Sequence, residues 1–181
     1  MIDSGCAGLS ARPSAVPAEH VGRDHVFRTP TIDDARAVSA LIAASPPLDA
    51  NSLYCTLLQC THFAGTCVVA EKDGALEGWI SGYRPPDQPE TMFVWQVAVR
   101  EGARGSGLGV AMLEALLSRQ DPSAPAWVKT TVTPSNEASR RMFARFAKRR
   151  QAQVFEIAWF DQGQHFGGQH ESEKLIAIGP L

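Results

Sequence analysis

Six consecutive residues, Arg104-Gly105-Ser106-Gly107-Leu108-Gly109, have the types and setting to hold a phosphate. They follow the strand-like run F-V-W-Q-V-A-V and open V-A-M-L-E-A-L-L, whose apolar spacing is helical. Glycine leaves backbone N–H groups uncovered, and the first turn of a helix carries partial positive charge, so a strand–loop–helix unit of this kind suits an anion. A tight strand-to-helix connection that needs positive φ is the alternative that the glycines alone leave open. Two other phosphate loops do not fit. There is no Lys for G-x-x-x-x-G-K-[ST], and a dinucleotide fingerprint would have its first glycine where Arg104 stands, within a βαβ repeat that is absent upstream.

The elements that must position this loop are legible from periodicity. Val26-Phe27-Arg28 reads as a strand, and Thr31 three residues before Asp34 resembles a capping box for a helix with Ile32, Ala35, Val38, Leu41 and Ile42 on one face. Pro46-Pro47 stop it. A second short helix is expected from about Asn51. Then come T-C-V-V-A-E, an Asp73-Gly74 hairpin signal, L-E-G-W-I-S-G-Y and T-M-F-V-W-Q-V-A-V, an antiparallel meander. After the glycine loop and its helix, the pattern gives a strand over Trp127 to Thr133, a helix E-A-S-R-R-M-F-A-R-F, the strand V-F-E-I-A-W-F, a polar glycine-rich loop, and K-L-I-A-I-G to close the sheet. The fold class is a single α/β domain over residues 26–181, a mixed, mostly antiparallel sheet with helices on both faces. Residues 1–25, rich in Pro, Gly, Ala and Ser without periodicity, are expected to form a flexible N-terminal extension.

Composition narrows the function classes. With 181 residues, 44% of them hydrophobic and 20% charged, the chain has the make-up of one folded domain. Its 17 Lys plus Arg against 19 Asp plus Glu, a net charge of -2, give no broad positive field for nucleic acid. No apolar run approaches the ~20 residues of a membrane span, and the N-terminus lacks a secretory pattern, so a cytoplasmic protein without membrane partners is expected. Cys6, Cys55, Cys60 and Cys67 lack paired spacing and are expected as free thiols. His165 and His170 stand five apart without a cysteine pair, so no metal is implied.

The arginine-first pattern R-x-x-G-x-G, its preceding strand, the later T-P-S-N-E-A-S-R-R-M-F and the order of elements resemble the GCN5-related N-acetyltransferase superfamily. The resemblance implies that acetyl-CoA is the acetyl donor. It further implies that the amides of Val97 and Val99 run beside pantetheine and that the loop Arg104, Gly105, Ser106, Gly107, Leu108 and Gly109 cradles the pyrophosphate. Asn136 and Ser139 would lie near the cofactor arm. Seven residues after the Asn the family often has a Tyr that protonates the departing thiolate; Phe143 stands there and keeps only a packing role. Four further blocks, Leu48 to Tyr54, Phe93 to Val97, Thr131 to Ser139 and His170 to Glu173, are similar to the L-2,4-diaminobutyrate Nγ-acetyltransferases of ectoine biosynthesis, over about residues 26–178.

That closer resemblance implies a small diamine substrate and a homodimer. It singles out Asp49 and Glu173 as anions for the two ammonium groups, with Asn51 beside them and Glu171 facing solvent or supporting its loop. Taken singly, each acid could be a solvated surface group or, for Asp49, a helix cap. Tyr54, placed one turn past Asn51 on the short helix, becomes the substitute acid; packing is its alternative. Trp95 is expected to wall the substrate or stack on its ammonium, or to be a buried strand aromatic. His170 is expected to relay a proton or orient Glu173, its alternative being a solvated loop residue. Gln96 occupies a strand position often polar in the superfamily, but an amide is no base, so Glu173 becomes the base, directly or through water. Acetylation of another small amine or a protein N-terminus, or a non-catalytic acyl-CoA sensor, are the alternative functions.

Overall fold

The computed structural model describes residues 24–120 and 124–181. The expectation of an N-terminal extension, and Cys6 with it, falls outside the described residues except for Asp24 and His25. Those two stand at the sheet edge, 3.3 Å from Lys72 Nζ and 2.9 Å from Glu77 Oε2 respectively.

The elements run β1 (Val26–Arg28), α1 (Ala35–Ala43), α2 (Leu53–Thr61), β2 (Val68–Lys72), β3 (Ala75–Tyr83), β4 (Thr91–Val99), α3 (Leu108–Ser118), β5 (Trp127–Val132), α4 (Glu137–Arg150), β6 (Gln153–Phe160) and β7 (Glu173–Gly179). Among the described residues the strands form one seven-stranded sheet in the order β1-β2-β3-β4-β5-β7-β6, antiparallel except for the parallel β4–β5 pair. The Asp73-Gly74 turn, both residues at positive φ, joins β2 to β3 as the hairpin signal predicts.

Helices cover both faces. Ala35, Val38, Leu41 and Ile42 of α1 and Cys60 of α2 share a core with Cys67, Val69, Trp79 and Ala98 on one face. On the other, Leu108, Met112, Leu113 and Leu116 of α3 and Phe143 and Phe146 of α4 pack on Val68, Ala70, Ile80, Met92 and Val94. Coverage on both sides explains why β2 reads as a continuous apolar run rather than an alternating one.

Three expectations are corrected. The strand K-L-I-A-I-G does not close the sheet: β7 lies between β5 and β6, pairing antiparallel with both, and β6 forms the edge. Strand order is a long-range property, and adjacent antiparallel strands read alike locally. The second helix opens at Leu53 behind a Ser52 cap, whose Oγ accepts from Cys55 N–H, so Asn51 lies in the preceding loop. Ile32 is exposed, because it sits in a 3-10 turn (Ile32–Asp34) out of phase with α1.

The entry to α1 is held by charge. Arg28 of β1 donates to both Asp34 carboxylate oxygens (2.7 and 2.8 Å) and to Glu71 of β2, while Thr31 N–H donates to Asp34 at 2.7 Å. The Arg28 guanidinium, followed by the Thr31 bond, holds the Asp34 carboxyl below its ordinary range against the opposing effect of burial. A carboxyl with a lowered folded pKa adds stability that is complete above its unfolded pKa, near ~3.9, and is lost as pH falls through the folded value. Asp34→Asn is expected to cost about 1 kcal/mol at neutral pH, allowing for solvent screening of the half-exposed Arg28. In urea melts the gap to the unsubstituted protein should close below about pH 4; a gap that persists there would show that the charge is not its source.

Candidate active site

Parallel pairing between β4 and β5 is confined to Thr91–Phe93 against Trp127–Lys129. Beyond it, β4 stays with β3 and β5 goes with β7, so the strands part. Two adjoining cavities occupy the opening, of about 440 and 1080 Å³, and both are lined by Pro47, Leu48, Val97, Asn136 and Ser139.

The smaller cavity holds the glycine loop. Gly105 and Gly107 have φ of 78° and 90°, and Gly107 caps α3 in a left-handed conformation that side chains resist. Gly109 faces Met142 so closely that an added Cβ would stand 3.1 Å from its Cγ. Val97, Val99, Arg104, Gly105, Gly107, Leu108, Gly109, Asn136 and Ser139 all line this cavity; Ser106 does not. Ser106 instead braces the turn, donating to Ala103 O (2.7 Å) and accepting from Leu108 N–H (3.3 Å). Arg104 folds back, its Nε donating to Val99 O at 3.0 Å, and Asn136 Oδ1 caps α4 by accepting from Ser139 N–H. Arg141 and Arg145, one turn apart on α4, also line the cavity. With the loop amides and the α3 N-terminus they make the donor set that a pyrophosphate requires. The spacing of these arginines on the predicted helix could have disclosed them.

The larger cavity gathers Asp49, Asn51, Trp95, Phe143, His170 and Glu173 from four separate stretches of chain. Asp49 stands before α2 with its side chain 77% exposed and its Oδ2 3.6 Å from His170 Nε2. Asn51 Nδ2 donates to Gln96 Oε1 at 2.7 Å. Trp95 is 47% exposed, an open wall and not a core aromatic. Glu173 opens β7 opposite Phe160. Phe143 is buried with the α4 core at the cavity's base. His170 is turned to Asp49; its Nδ1–H donates to Glu171 O at 2.7 Å, and its ring packs on Phe166 with centroids 4.6 Å apart. Glu171 accepts from Ser135 Oγ and so braces its loop against the turn before α4.

Tyr54 is not brought to either cavity. It is 69% exposed, because α2 buries Thr56, Gln59 and Cys60, and a residue two positions before Thr56 lands about 200° around the helix. Tyr83 on β3 does line the larger cavity, beside Phe93, and burial raises its phenol pKa. Lys129 lines it as well, its Nζ donating to Gln88 Oε1 at 2.6 Å. Neither was singled out by sequence pattern: a tyrosine at a strand end and a lysine within one carry no local signal of the cavity they face. Among the described residues no group of three or more His, Cys, Asp or Glu is placed to hold a metal ion, and no helix is long and apolar enough to cross a membrane.

Comparison with known proteins gives a consistent answer. Residues 36–147 match the model of the Acetyltransferase (GNAT) family. The L-2,4-diaminobutyric acid acetyltransferase of Methylotuvimicrobium alcaliphilum is 46% identical over 152 residues, 84% of this chain and 88% of the relative. That of Bordetella parapertussis is 47% identical, over 86% and 84%. The diaminobutyrate acetyltransferase EctA from Paenibacillus lautus, solved with its substrate L-2,4-diaminobutyric acid and coenzyme A, superposes with a TM-score of 0.82 at 39% identity, covering 86% of this chain and 95% of that one.

Cys55, Cys60 and Cys67 line neither cavity. Cys60 and Cys67 are buried free thiols whose pKa values burial pushes up to about 11 and about 12, and burial raises that of half-buried Cys55 too. None is a ready nucleophile, since the thiolate is the reactive form. Iodoacetamide at neutral pH should label Cys55 slowly and spare Cys60 and Cys67 until the protein unfolds, read by peptide mass spectrometry. Rapid labelling of either buried cysteine in the folded protein would show that its thiol is not shielded as the structure has it.

Proposed function

The chain belongs to the Acetyltransferase (GNAT) family, and from that premise we propose that it transfers acetyl from acetyl-CoA to the γ-amine of L-2,4-diaminobutyrate, yielding Nγ-acetyl-diaminobutyrate for ectoine synthesis. The observation that carries the reading is the junction of the two cavities at Val97, Asn136 and Ser139: a phosphate-binding loop on one side, an acid-lined chamber on the other. The naming of its relatives as diaminobutyrate acetyltransferases supports the choice of amine.

In this reading the loop amides, Arg141 and Arg145 hold the pyrophosphate, and Val97 and Val99 run beside pantetheine. Acetyl-CoA supplies an activated thioester carbonyl. Diaminobutyrate carries two ammonium groups and a carboxylate; Asp49 and Glu173 offer the anions, Lys129 the cation, and Trp95 a wall for the aliphatic part. An alkyl ammonium titrates near ~10.4, so the attacking amine must lose a proton first, which falls to Glu173 directly or through water. The C–N bond then forms as the C–S bond breaks; the nitrogen sheds one further proton to solvent and the departing thiolate takes up one. Phe143 cannot give it. A phenol can, and Tyr83 on the cavity wall takes the role first given to the outward-facing Tyr54: single-turnover rates should fall in Tyr83→Phe and hold in Tyr54→Phe.

A homodimer belongs to the same proposal. Strand β6 is an unpaired edge exposed along its whole length, with Val154, Phe155, Ile157 and Trp159 each about half open, and its last residues line the larger cavity. So much apolar surface on an edge strand calls for a cover, and a second copy related by two-fold symmetry would supply one beside each site. Sedimentation should give twice the mass of one chain, and Ile157→Lys should shift it toward one; a monomer at tens of micromolar would sink the proposal. Free Cys55, Cys60 and Cys67 fit a cytoplasmic setting, which cell fractionation would check.

Release of CoA thiol from acetyl-CoA with a panel of amines tests the function. Turnover on diaminobutyrate is expected well above that on ornithine, lysine, putrescine or an N-terminal peptide. Asp49→Asn and Glu173→Gln should each lower kcat/KM about ten- to a hundredfold, the worth of one charge-assisted hydrogen bond. Glu173→Gln should also flatten the acidic limb of the pH profile, whereas Asp49→Asn keeps it. Cofactor binding without turnover would identify a sensor, and equal small losses on every amine would make both acids surface groups.

A further inference from the structure

We propose that Gln96 is a positioning residue that locks the substrate loop 48–52 at a fixed height over the acyl site and thereby sets the selectivity for a short diamine. The proposal rests on the diaminobutyrate reading for its substrate. The lock itself stands on geometry.

Gln96 is buried in β4, yet its amide is spent entirely on the loop before α2. Its Oε1 accepts from Asn51 Nδ2 at 2.7 Å, and its Nε2 donates to the backbone oxygen of Asp49 at 2.9 Å. Among the described residues the other tie on these two is the looser approach of His170 to the Asp49 carboxylate, 3.6 Å. Leu48 packs on the α1/α2 core at the start of this loop, and the stretch that carries the exposed Asp49 anion is hydrogen-bonded to the sheet through one side chain.

A bulge aims that side chain. Between β3 and β4 the register steps from Ser81 opposite Gln96 to Gly82 opposite Val94, leaving Trp95 as the extra residue. Before it, Met92 and Val94 face the α3/α4 core; after it, Val97 and Val99 do, and Ala98 enters the α1/α2 core. Unbroken alternation from Val94 would have carried Gln96 to the α3/α4 side. With the bulge it turns to the other face, where the loop lies. Its neighbour Val97 lines both cavities. Two adjacent residues of one rigid strand therefore hold the amine-binding loop and border the acyl site, so the distance from Asp49 to the reacting centre is set through a single peptide unit. A glutamine suits this task because it donates and accepts at once and carries no charge to compete for the ammonium.

Gln96→Met keeps length and removes both bonds. The KM for diaminobutyrate should rise about tenfold, the scale of losing one to two buried hydrogen bonds, with acetyl-CoA affinity unchanged. Ornithine, one methylene longer, should gain relative to diaminobutyrate in kcat/KM. Because Gln96 acts through Asn51, Gln96→Met/Asn51→Ala should be no worse than the poorer single variant. Deuterium exchange of the Cys55 and Thr56 amides in the free protein, which are bonded to Ser52 at the end of this loop and need no substrate, should speed up in Gln96→Met while those of α3 hold. Additive losses, an unchanged amine selectivity, or unchanged exchange would each overturn the lock. A wild-type chain inert on diaminobutyrate would sink the substrate reading alone, and the exchange experiment then decides the lock. Should Gln96→Met not fold, Asn51→Ala removes one of the two bonds from the loop side and is read the same way.

Discussion

Everything at this site follows from the decision of two parallel strands to stop pairing after three residues. A strand edge has N–H and C=O groups that must find partners, and β4 from Val94 onward has none from β5 on that side. In an ordinary sheet such a gap would be a defect. Here α3 and α4 on one face and the loop before α2 on the other flank the gap and make it a chamber. The strand edge it exposes is suited to an extended, amide-bearing molecule such as the pantetheine arm, which can complete the ladder that β5 abandons. The glycine loop lies at the end of that same strand, so a pyrophosphate held there and a thioester beside β4 would be aligned by one backbone segment.

The two halves of the site are built on different physics. The phosphate side is made of backbone and helix ends, and works because glycine permits the positive φ at positions 105 and 107. Side chains assist it: Arg104 and Ser106 brace the loop from within, and Arg141 and Arg145 of α4 add charge along its cavity. The amine side is made of side chains from distant segments, and needs fixed charge at fixed separation. Asp49 reaches in from the chain between α1 and α2, Glu173 from the start of β7, Lys129 from β5. Each sits on a different element, so the arrangement is only as exact as the contacts that hold those elements together. Glu171 on Ser135, His170 on Asp49 and Gln96 on the 49–51 loop are those contacts.

The loop between β6 and β7 closes the chamber as a structured element. Asp161 accepts from the N–H groups of Gly163 and Gln164, Ser172 from that of Gln162, and Phe160, Phe166, His165 and His170 form a run of ring contacts. These rings line one side of an acid-lined pocket that stays open to solvent at Asp49. The same aromatics lead directly into the exposed β6 edge, so the chamber and the surface proposed for a second copy share their residues.

What could be read from the sequence was what local rules decide. The glycine loop was legible because positive φ and a helix start depend on residues within a few positions of each other, and the hairpin at Asp73-Gly74 for the same reason. Strand and helix identities followed from periodicity, and the acids of the amine side from resemblance to related chains. What the tertiary structure alone decided was direction and neighbourhood. It inserted β7 between β5 and β6, turned Tyr54 outward by packing α2 through Thr56, Gln59 and Cys60, and reversed the facing of β4 through the Trp95 bulge. Gln96, Tyr83 and Lys129 became part of the site through contacts between segments tens of residues apart. Such contacts are set by how twisted strands and covered faces pack, and a one-residue shift in a strand sends a side chain to the opposite side of the sheet. That sensitivity is why the residue types were visible in the sequence and their facing was not.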